Sequence, residues 1–477
     1  MIRRLTDVLY RKRTPRVVAI IPSYIASCQI NVIKPLTALA RAGHITFKHQ
    51  LEQSTGPSAI EWADVIVYCR NTEPSYRHLL NDALGRRKPI IYDIDDSFWD
   101  VPKATDPDLA RYHTQPLRLR QLENYLQYAS LVRVYSPLLK KKVSKFNCNA
   151  RIYRSSFDFN QVPELQPLQT KLEKIGIVYA TSRTVDDQYK VFLPALADFL
   201  NEHHERIEMT VWGCSPSELL TLPGITFRKL LPRYDEFLRE FSRSGFNIGL
   251  APLEENEFNR SKNNTKFRDY GACGIAGIYS NVDAYSDSVV NEQDGLLVHN
   301  TKNEWFNALQ RLAFDNELQE RIRTNARAKV FRDYRQELIE TQWLEDIYAL
   351  VANVPSFWLA SAKDASTVTL EVTAEHDHFC GVELHHPQFI TDTLGGQKNQ
   401  QKFHLEVLTQ SGQTLRGIAS SAISYSNGVV AFNFEGIRNS QSREFKLRFI
   451  GTVSEFKNRG SQSISAQLLY SGTRQIQ

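Results

Sequence analysis

The feature that most limits the fold of this sequence is a repeated alternation of uninterrupted apolar strands with helical patterns. Three segments, RVVAIIPSY (16–24), ADVIVYCR (63–70) and KPIIYDID (88–95), are apolar almost throughout, and a helical pattern separates each from the next. A strand with one face in water would alternate apolar and polar residues, whereas a continuously apolar strand is buried on both faces. The pattern therefore predicts a parallel sheet flanked by helices over residues 16–166.

A second series of the same kind follows, with apolar strands at KIGIVYA (174–180), FNIGLAPL (246–253) and IAGIYS (275–280) and closing helices up to residue 354. We expect a second Rossmann-like domain over residues 167–354. Two such domains in tandem place a crevice between the carboxyl ends of their strands, where ligands of open α/β sheets bind.

After residue 355 the sequence changes to short runs in which apolar and polar residues alternate, such as STVTLEVTA and EFKLRFIG, separated by Gly, Asn and Ser. This period of two predicts an antiparallel β-sandwich over residues 355–477. The fold class expected for the whole chain is α/β, with two tandem doubly wound domains and a carboxyl-terminal β-sandwich.

Charge and hydropathy exclude several classes of function. The 58 basic and 53 acidic side chains nearly balance, so the total gives no indication of nucleic-acid binding. No apolar run approaches the roughly 20 residues of a membrane span, and no secretory signal precedes the first strand. We expect a cytoplasmic protein. Residues 1–15 form a basic leader, which is either an amphipathic helix peripheral to the inner face of the cytoplasmic membrane or a solvated segment.

An acidic segment, YDIDDSFWDVP, follows the third strand of the first domain and contains Asp93, Asp95 and Asp96. Three interpretations are open. The segment could hold a divalent metal through Asp-x-Asp, it could cap the following helix, or its carboxylates could face the hydroxyl group of an acceptor substrate. The second domain has a predicted phosphate site of its own, described next, so a metal that holds phosphate is not needed here and the third interpretation is favoured. We therefore predict Asp95 and Asp96 as catalytic or acceptor-binding groups, Asp93 as an acceptor-side group, and no metal.

The phosphate site is predicted from EFNRSKNNTKFRDYGACG (257–274), where a helix begins near Asn263 after a polar loop. Free backbone N–H groups, the helix dipole and the ammonium groups of Lys262 and Lys266 together suit a diphosphate without a metal. Gly274 ends the helix, as a residue free to adopt positive φ would.

The order of a polar loop, a helix ending in ACG, a strand and a later GLLV resembles the carboxyl-terminal half of GT-B glycosyltransferases, specifically glycosyltransferase family 4. The resemblance covers residues 170–345, and more loosely 16–165 through ADVIVYCR and YDIDDSFWDVP. It implies that Asp269 contacts the ribose of a nucleotide. Ser261 stands where the family has the first Glu of its Glu-x7-Glu motif, so Asn259, Ser261 and Asn263 are candidates to replace that residue.

The resemblance further implies a nucleotide-sugar donor as co-substrate, no cofactor, and metal-free transfer with retention of configuration. Lys262, Lys266 and Arg183, in the loop ATSRTVDD, would hold the diphosphate. The implied acceptor is a growing surface polysaccharide or lipid-linked glycan, and polysaccharide-assembly proteins are expected partners. Two alternatives are a catalytically inactive glycan-binding scaffold and a metal-dependent transferase that uses Asp93 and Asp95.

Further acceptor-side candidates lie in the first domain. The loop PSYIASCQIN after the first strand lacks G-x-G-x-x-G, which argues against a dinucleotide cofactor and leaves Gln29 and Asn31 as hydrogen-bonding groups. Arg70, after the second strand, and His113, before a helix, would face the same crevice.

Overall fold

The computed structural model describes residues 14–86, 88–103, 107–147, 149–167, 174–181 and 187–351, and the backbone of eight strands between Thr367 and Tyr470. Residues 1–13 of the basic leader and Arg183 lie outside the described residues. None of the described helices combines the length and the apolar character needed to cross a bilayer.

The first domain contains a six-stranded parallel sheet in the order β2-β1-β3-β4-β5-β6. Its strands are β1 (Arg16–Ile21), β2 (Thr46–Leu51), β3 (Val65–Cys69), β4 (Ile90–Asp93), β5 (Leu131–Val134) and β6 (Ala150–Ile152). The strand order reverses beside β1 and β3, and such a reversal opens a crevice at the carboxyl ends of the strands.

The helices of the first domain cover both faces of this sheet. They are α1 (Ala26–Cys28), which continues through a π-helical turn (Gln29–Ile33) into α2 (Lys34–Arg41), α3 (Pro57–Trp62), α4 (Arg77–Gly85), α5 (Pro107–His113), α6 (Pro116–Tyr128) and α7 (Pro137–Val143). Short 3-10 helices lie at Glu52–Ser54, Pro74–Tyr76, Phe98–Asp100 and Phe159–Gln161. Proline begins α3, α6 and α7, a position where its fixed φ suits a helix and its missing N–H costs nothing.

The second domain contains another six-stranded parallel sheet, in the order β12-β11-β10-β7-β8-β9. Its strands are β7 (Ile175–Ala180), β8 (Ile207–Trp212), β9 (Ile225–Arg228), β10 (Ile248–Ala251), β11 (Ala276–Ser280) and β12 (Leu296–Val298). Its helices are α8 (Leu193–His203), α9 (Ser217–Leu220), α10 (Tyr234–Phe241), α11 (Glu257–Arg260), α12 (Thr265–Ala272), α13 (Asp283–Ser286), α14 (Lys302–Phe314) and α15 (Asn316–Tyr334), with a 3-10 helix at Gln188–Val191.

Helix α12 approaches strand β10 closely because Gly249 has no side chain. A Cβ atom at Gly249 would lie 2.5 Å from a ring carbon of Tyr270 on α12. The Tyr270 hydroxyl donates to the carbonyl of Leu250 at 2.8 Å, which fixes the helix against the same strand. The position of α12, and of the lysines at its amino end, thus depends on a glycine in the sheet.

The last helix, α16 (Gln336–Val351), packs on the first domain and not on the second. Trp343 and Ile347 are buried among Val17 and Leu36, and the Trp343 indole donates to the carbonyl of Asn31 at 2.9 Å. The sequence prediction placed this helix among the closing helices of residues 167–354. Its apolar face would fit either sheet, so its sequence alone does not say which sheet it covers.

The chain therefore passes between the two domains twice, and the two connections run side by side. The backbone N–H of Phe157 donates to the carbonyl of Tyr334 at 2.8 Å, and that of Gln336 donates to the carbonyl of Phe157 at 3.0 Å. These bonds form a short parallel bridge between Phe157 and Arg335.

Beyond residue 366, the described strands form two four-stranded sheets, in the orders β13-β19-β15-β16 and β17-β18-β14-β20, with antiparallel pairing throughout. The strands are β13 (Thr367–Thr373), β14 (Phe379–His385), β15 (His404–Thr409), β16 (Thr414–Ile418), β17 (Ile423–Ser426), β18 (Val429–Ile437), β19 (Glu444–Ile450) and β20 (Ser465–Tyr470).

Candidate functional site

The structure brings Arg70, Asp95 and Asp96 together at the carboxyl ends of β3 and β4. Arg70 directly follows β3 and has a φ of 61°, a region that non-glycine residues rarely adopt and that costs about 1 kcal/mol or more. Its backbone N–H donates to the carbonyl of Asp93 at 2.9 Å. Its guanidinium pairs with Asp95 and donates to the Asp96 carboxylate at 2.9 Å. The ion pairs hold the strained arginine in place.

The two carboxylates on Arg70 have different surroundings. Asp95 is buried, with 6% of its surface exposed, and accepts from the Ser27 hydroxyl at 2.5 Å. The Asp96 side chain is 20% exposed and lies 3.5 Å from the Lys262 ammonium group of the second domain. Asp96 is therefore the carboxylate that reaches the crevice, and Asp95 stands behind it.

Asp93 lies in the interior of the first domain. It is fully buried and accepts from the Tyr135 hydroxyl at 2.5 Å and, more weakly, from the Cys69 thiol at 3.7 Å. Burial raises the pKa of Asp93 to about 7, although Arg133, with Nε 3.8 Å away, opposes that shift. Direct contact with an acceptor would require exposure, so the structure places Asp93 in support of the site and not at its surface.

Arg133 connects Asp93 to the last helix. Its guanidinium is fully buried between the rings of Tyr153, 3.4 Å from the ring centroid, and Trp343, at 3.9 Å. It also forms an ion pair with Asp346 on α16. This ion pair and the two rings join α16 to β5, the strand that ends behind the site.

His113 belongs to the same group through Phe98. The His113 ring stacks on Phe98 with centroids 4.0 Å apart, and the Arg70 guanidinium lies 4.7 Å from the centroid of the Phe98 ring. Burial, followed by the charge of Arg70, lowers the pKa of His113 to about 4. The imidazole is therefore neutral at neutral pH and lies close enough to Asp96 to interact with its charge.

Gln29 and Asn31 both lie on the π-helical turn, where Gln29 is half-buried and Asn31 is buried. The Gln29 amide donates to the carbonyl of Tyr24. Asn31 is buried, with 2% of its surface exposed, and its carbonyl accepts from Trp343 of α16. Asn31 thus lies among buried residues against the last helix and is not gathered with Arg70 and Asp96.

In the second domain, Lys262 and Lys266 lie at the amino end of α12, which begins two residues later than the sequence suggested. The Lys262 ammonium group lies 4.3 Å from the centroid of the Phe258 ring and near Asp96. Lys266, in the first turn of α12, is half-buried, and Asn263 accepts from the Thr265 hydroxyl.

Ser261 and Asp269, both predicted donor contacts, are buried. The Ser261 hydroxyl donates to the carbonyl of Glu257 at 2.8 Å, while its own carbonyl accepts from the Ser136 hydroxyl of the first domain at 2.6 Å. Asp269 is 3% exposed and accepts from the Tyr234 hydroxyl at 2.8 Å.

Arg268 and Ser136 are site residues that sequence reasoning missed. Arg268 is buried, pairs with Asp269 at 2.8 Å and donates to the carbonyl of Ser156 at 3.2 Å. Its position next to Asp269 was the only available signal, and the pattern of the helix gave no reason to bury an arginine. Ser136 follows the apolar strand LVRVY, at the edge where the other site residues lie, and this was the signal for it.

Within the described ranges, no three His, Cys, Asp or Glu side chains come together in a group that could hold a metal ion.

Solved structures with this arrangement of two parallel sheets include three of known name. HepE of Anabaena, in complex with UDP and glucose, has a TM-score of 0.52 and 14% identity over 70% of this chain and 100% of its own. Sucrose-phosphate synthase of Thermosynechococcus elongatus has a TM-score of 0.53 and 16% identity over 71% of this chain and 99% of its own. A glycosyltransferase of Rickettsia africae has a TM-score of 0.51 and 13% identity over 72% and 100%. The chain has the fold of these proteins.

The fold is that of two Rossmann-like domains in the GT-B arrangement, as the sequence predicted for residues before 355. No protein-family model matches the sequence, and a comparison with curated proteins found no match.

In this GT-B fold, the segment after β10 is docked on the first domain; we call residues 257–262 the docked segment. Lys142 of the first domain lies 3.2 Å from the Glu257 carboxylate. Phe258 is buried in an apolar cluster with Val101 and Ala110. The Ser136 and Asp96 contacts described above hold the same segment, so its two ends and its middle all touch the first domain.

A further ion pair joins the domains outside the docked segment. Lys34 of α2 pairs with Asp235 of α10 and lies 5.1 Å from the centroid of the Tyr234 ring. Asp235 is 37% exposed in its side chain, and the pair contains none of the predicted site residues.

Proposed function

We propose that this protein is a glycosyltransferase that moves a sugar from a nucleotide-sugar donor to a glycan acceptor. The observation that carries the proposal is the approach of Lys262, at the amino end of α12, to within 3.5 Å of Asp96 at the carboxyl edge of the other sheet. A cation suited to phosphate and a carboxylate suited to a hydroxyl thus meet in the crevice of a GT-B fold.

The donor side of the mechanism belongs to the second domain. The diphosphate would lie on the amino end of α12, where the helix dipole and free N–H groups favour an anion. Lys262 and Lys266 would offset the charge that develops on the leaving diphosphate. Arg183 stays a candidate for the same role. The structure of HepE with UDP and glucose supports a uridine diphosphate sugar as the first donor to test.

The acceptor side belongs to the first domain. Asp96 is the exposed carboxylate and would bind the acceptor hydroxyl or accept its proton, while Arg70 and Asp95 hold it in place. His113 would supply a neutral hydrogen-bonding group nearby. Because Arg70 already pairs with both Asp95 and Asp96 and because Asp93 is buried, the contacts favour chemistry without a metal over a metal held by Asp93 and Asp95.

The family resemblance supports family 4 chemistry, with retention of configuration, no cofactor, and a surface polysaccharide or lipid-linked glycan as acceptor. We extend the proposal to the carboxyl-terminal strands, whose two sheets would pack as a β-sandwich that binds glycan or an assembly protein. The basic leader would place the enzyme peripherally on the cytoplasmic membrane.

A second candidate function is a catalytically inactive GT-B scaffold that binds glycan. The burial of Ser261 favours it, because the hydroxyl at the position of the family's first Glu donates to the carbonyl of Glu257 in the preceding helix.

The test is binding and slow hydrolysis of UDP-, GDP-, dTDP- and CMP-sugars, each with and without EDTA. Binding and hydrolysis of one nucleotide class, unchanged by EDTA, is the expected result. Binding without any turnover would favour the scaffold, loss of turnover in EDTA would restore the metal-dependent alternative, and no binding of any donor would contradict the proposal.

A further inference from the structure

The Lys262–Asp96 ion pair joins a group proposed for the donor to a group proposed for the acceptor. Both side chains are about one-fifth exposed, 21% for Lys262 and 20% for Asp96, so solvent and a ligand reach them. Asp96 also bonds to Arg70 at 2.9 Å and keeps a cationic partner without Lys262. Each group is thus engaged by the other in the state that the structure describes.

We propose that this ion pair is a latch that the diphosphate of the donor opens. The inference rests on the proposed function and adds an order to it. A diphosphate carries more negative charge than one carboxylate and offers several acceptor oxygens, so it competes successfully for the Lys262 ammonium group. Asp96 then keeps its bond to Arg70, and the acceptor hydroxyl takes the place that the Lys262 ammonium group leaves at its carboxylate. The acceptor carboxylate therefore becomes available after the donor has bound.

The latch predicts the direction in which two substitutions change nucleotide affinity. Because Asp96 competes with the diphosphate, removing its charge makes nucleotide binding tighter, whereas removing Lys262 makes it weaker. A carboxylate that only lined the acceptor side would leave nucleotide affinity unchanged. If the ion pair only held the domains together, its loss would weaken nucleotide binding, because the docked segment would no longer be supported by the first domain.

Two control variants separate the latch from simpler effects of charge. Asp95→Asn removes the same charge from the same arginine, at a residue whose contacts are with Arg70 and Ser27. Asp235→Asn removes an interdomain ion pair, that with Lys34, outside the docked segment. Both keep the shape of the side chain, as Asp96→Asn does.

The experiment is calorimetric titration of the full chain and its variants with UDP, GDP, dTDP and CDP, in about 0.05 M and about 0.5 M salt. For the nucleotide that binds, Asp96→Asn should lower the dissociation constant by about two- to fivefold, the size of a partly exposed ion pair. Lys262→Ala should weaken it, and the two controls should change it less than twofold. The gain from Asp96→Asn should shrink at the higher salt, where screening already weakens the pair.

The outcomes distinguish the latch from the function on which it rests. If a nucleotide binds and Lys262→Ala weakens it but Asp96→Asn leaves it unchanged or weaker, the latch is overturned and the donor site stands. If Asp95→Asn or Asp235→Asn tightens binding as much as Asp96→Asn, general charge or domain loosening explains the gain, and the latch is again overturned. If none of the four nucleotides binds to any form, the proposed function fails together with the latch.

Discussion

The imidazole of His113 lies parallel to the ring of Phe98, with 5° between the ring planes and centroids 4.0 Å apart. This stacked ring is also close to three charged side chains: Arg70 and Arg118 lower its pKa, and Asp96 raises it. Burial is the largest influence and, with the arginines, brings the pKa of His113 to about 4. The His113 ring therefore stays uncharged until the pH falls toward 4.

Stability should depend on pH through this histidine. In the unfolded chain His113 binds a proton near pH 6.5, whereas the folded chain binds it only near pH 4. The unfolded state therefore holds more protons between these values, and stability falls as the pH drops from 6.5 to 4. We expect His113→Phe, which keeps a stacked ring, to lose about 1 to 2 kcal/mol less unfolding free energy than the native sequence over this pH range. This value is smaller than the full pKa shift implies, because the ring is partly exposed. Urea unfolding of both forms at pH 7, 6, 5 and 4.5 measures this, and parallel pH curves would contradict it.

Lys266→Ala should weaken donor binding by about 1.5 to 3 kcal/mol, the range of a hydrogen bond to a charged group. The reason is its place in the first turn of α12, where the predicted diphosphate lies. Lys302→Ala is the matched control, because Lys302 also lies in the first turn of a helix, α14, and pairs with Asp198 there. Calorimetric titration with the donor nucleotide decides: equal losses in both variants would mean that the effect is one of overall charge.

Arg133→Met should destabilise the protein by about 3 to 5 kcal/mol at pH 8, because it leaves the Asp93 carboxylate buried without its cation. Asp346 keeps the more exposed Arg151 as a cation, at 3.6 Å. The pKa of Asp93 is raised to about 7, so this carboxyl is protonated at pH 5 and no longer needs the arginine. The cost should therefore shrink as the pH falls from 8 to 5.

Urea unfolding across that pH range measures the effect of Arg133→Met. Arg332→Met, at an arginine that is 69% exposed and pairs with Asp333, is the control and should cost less than about 1 kcal/mol. Adding Asp346→Asn to Arg133→Met should restore part of the stability. A cost that stays constant with pH would show that lost packing, not the buried charge, dominates.

Gly249→Ala should destabilise the second domain by about 1 to 3 kcal/mol, the usual effect of overpacking. The new methyl group would lie 2.5 Å from the Tyr270 ring, so α12 must move away from β10. Nucleotide binding should weaken in the same variant, because Lys266 moves with the helix. Gly56→Ala, where no atom lies within 4 Å of the new methyl group, is the control for both measurements. Unchanged stability would mean that Tyr270 turns aside without shifting the helix.

The sequence predicted the central strands well and missed three at the sheet edges. β2, β6 and β9 each lie at an edge, and each exposes several of its side chains. An edge strand buries less apolar surface, so TFKHQL, ARI and ITFR lack the continuous apolar pattern that revealed β1, β3 and β4. The fourth edge strand, β12, coincides with the apolar run GLLV.

In the site, the sequence predicted the groups at strand ends and helix starts but not their long-range partners. Arg70, Asp95, Asp96, Lys262 and Lys266 are recognisable because each follows a strand or begins a helix. The partners are far away in the chain: Ser136 is 125 residues from Ser261, and Arg133 is 213 residues from Asp346. No local pattern records such a pairing, since it exists only after both domains and the last helix have come together.

The paired connection at Phe157 and Arg335 determines how the crevice can widen. Two peptide segments cross between the domains there, joined by backbone hydrogen bonds of 2.8 and 3.0 Å. Sliding one domain along the other would shift these segments out of register and break both bonds. Rotation about the pair leaves them intact. We therefore expect the connection to favour rotation of one domain against the other over sliding as the crevice opens.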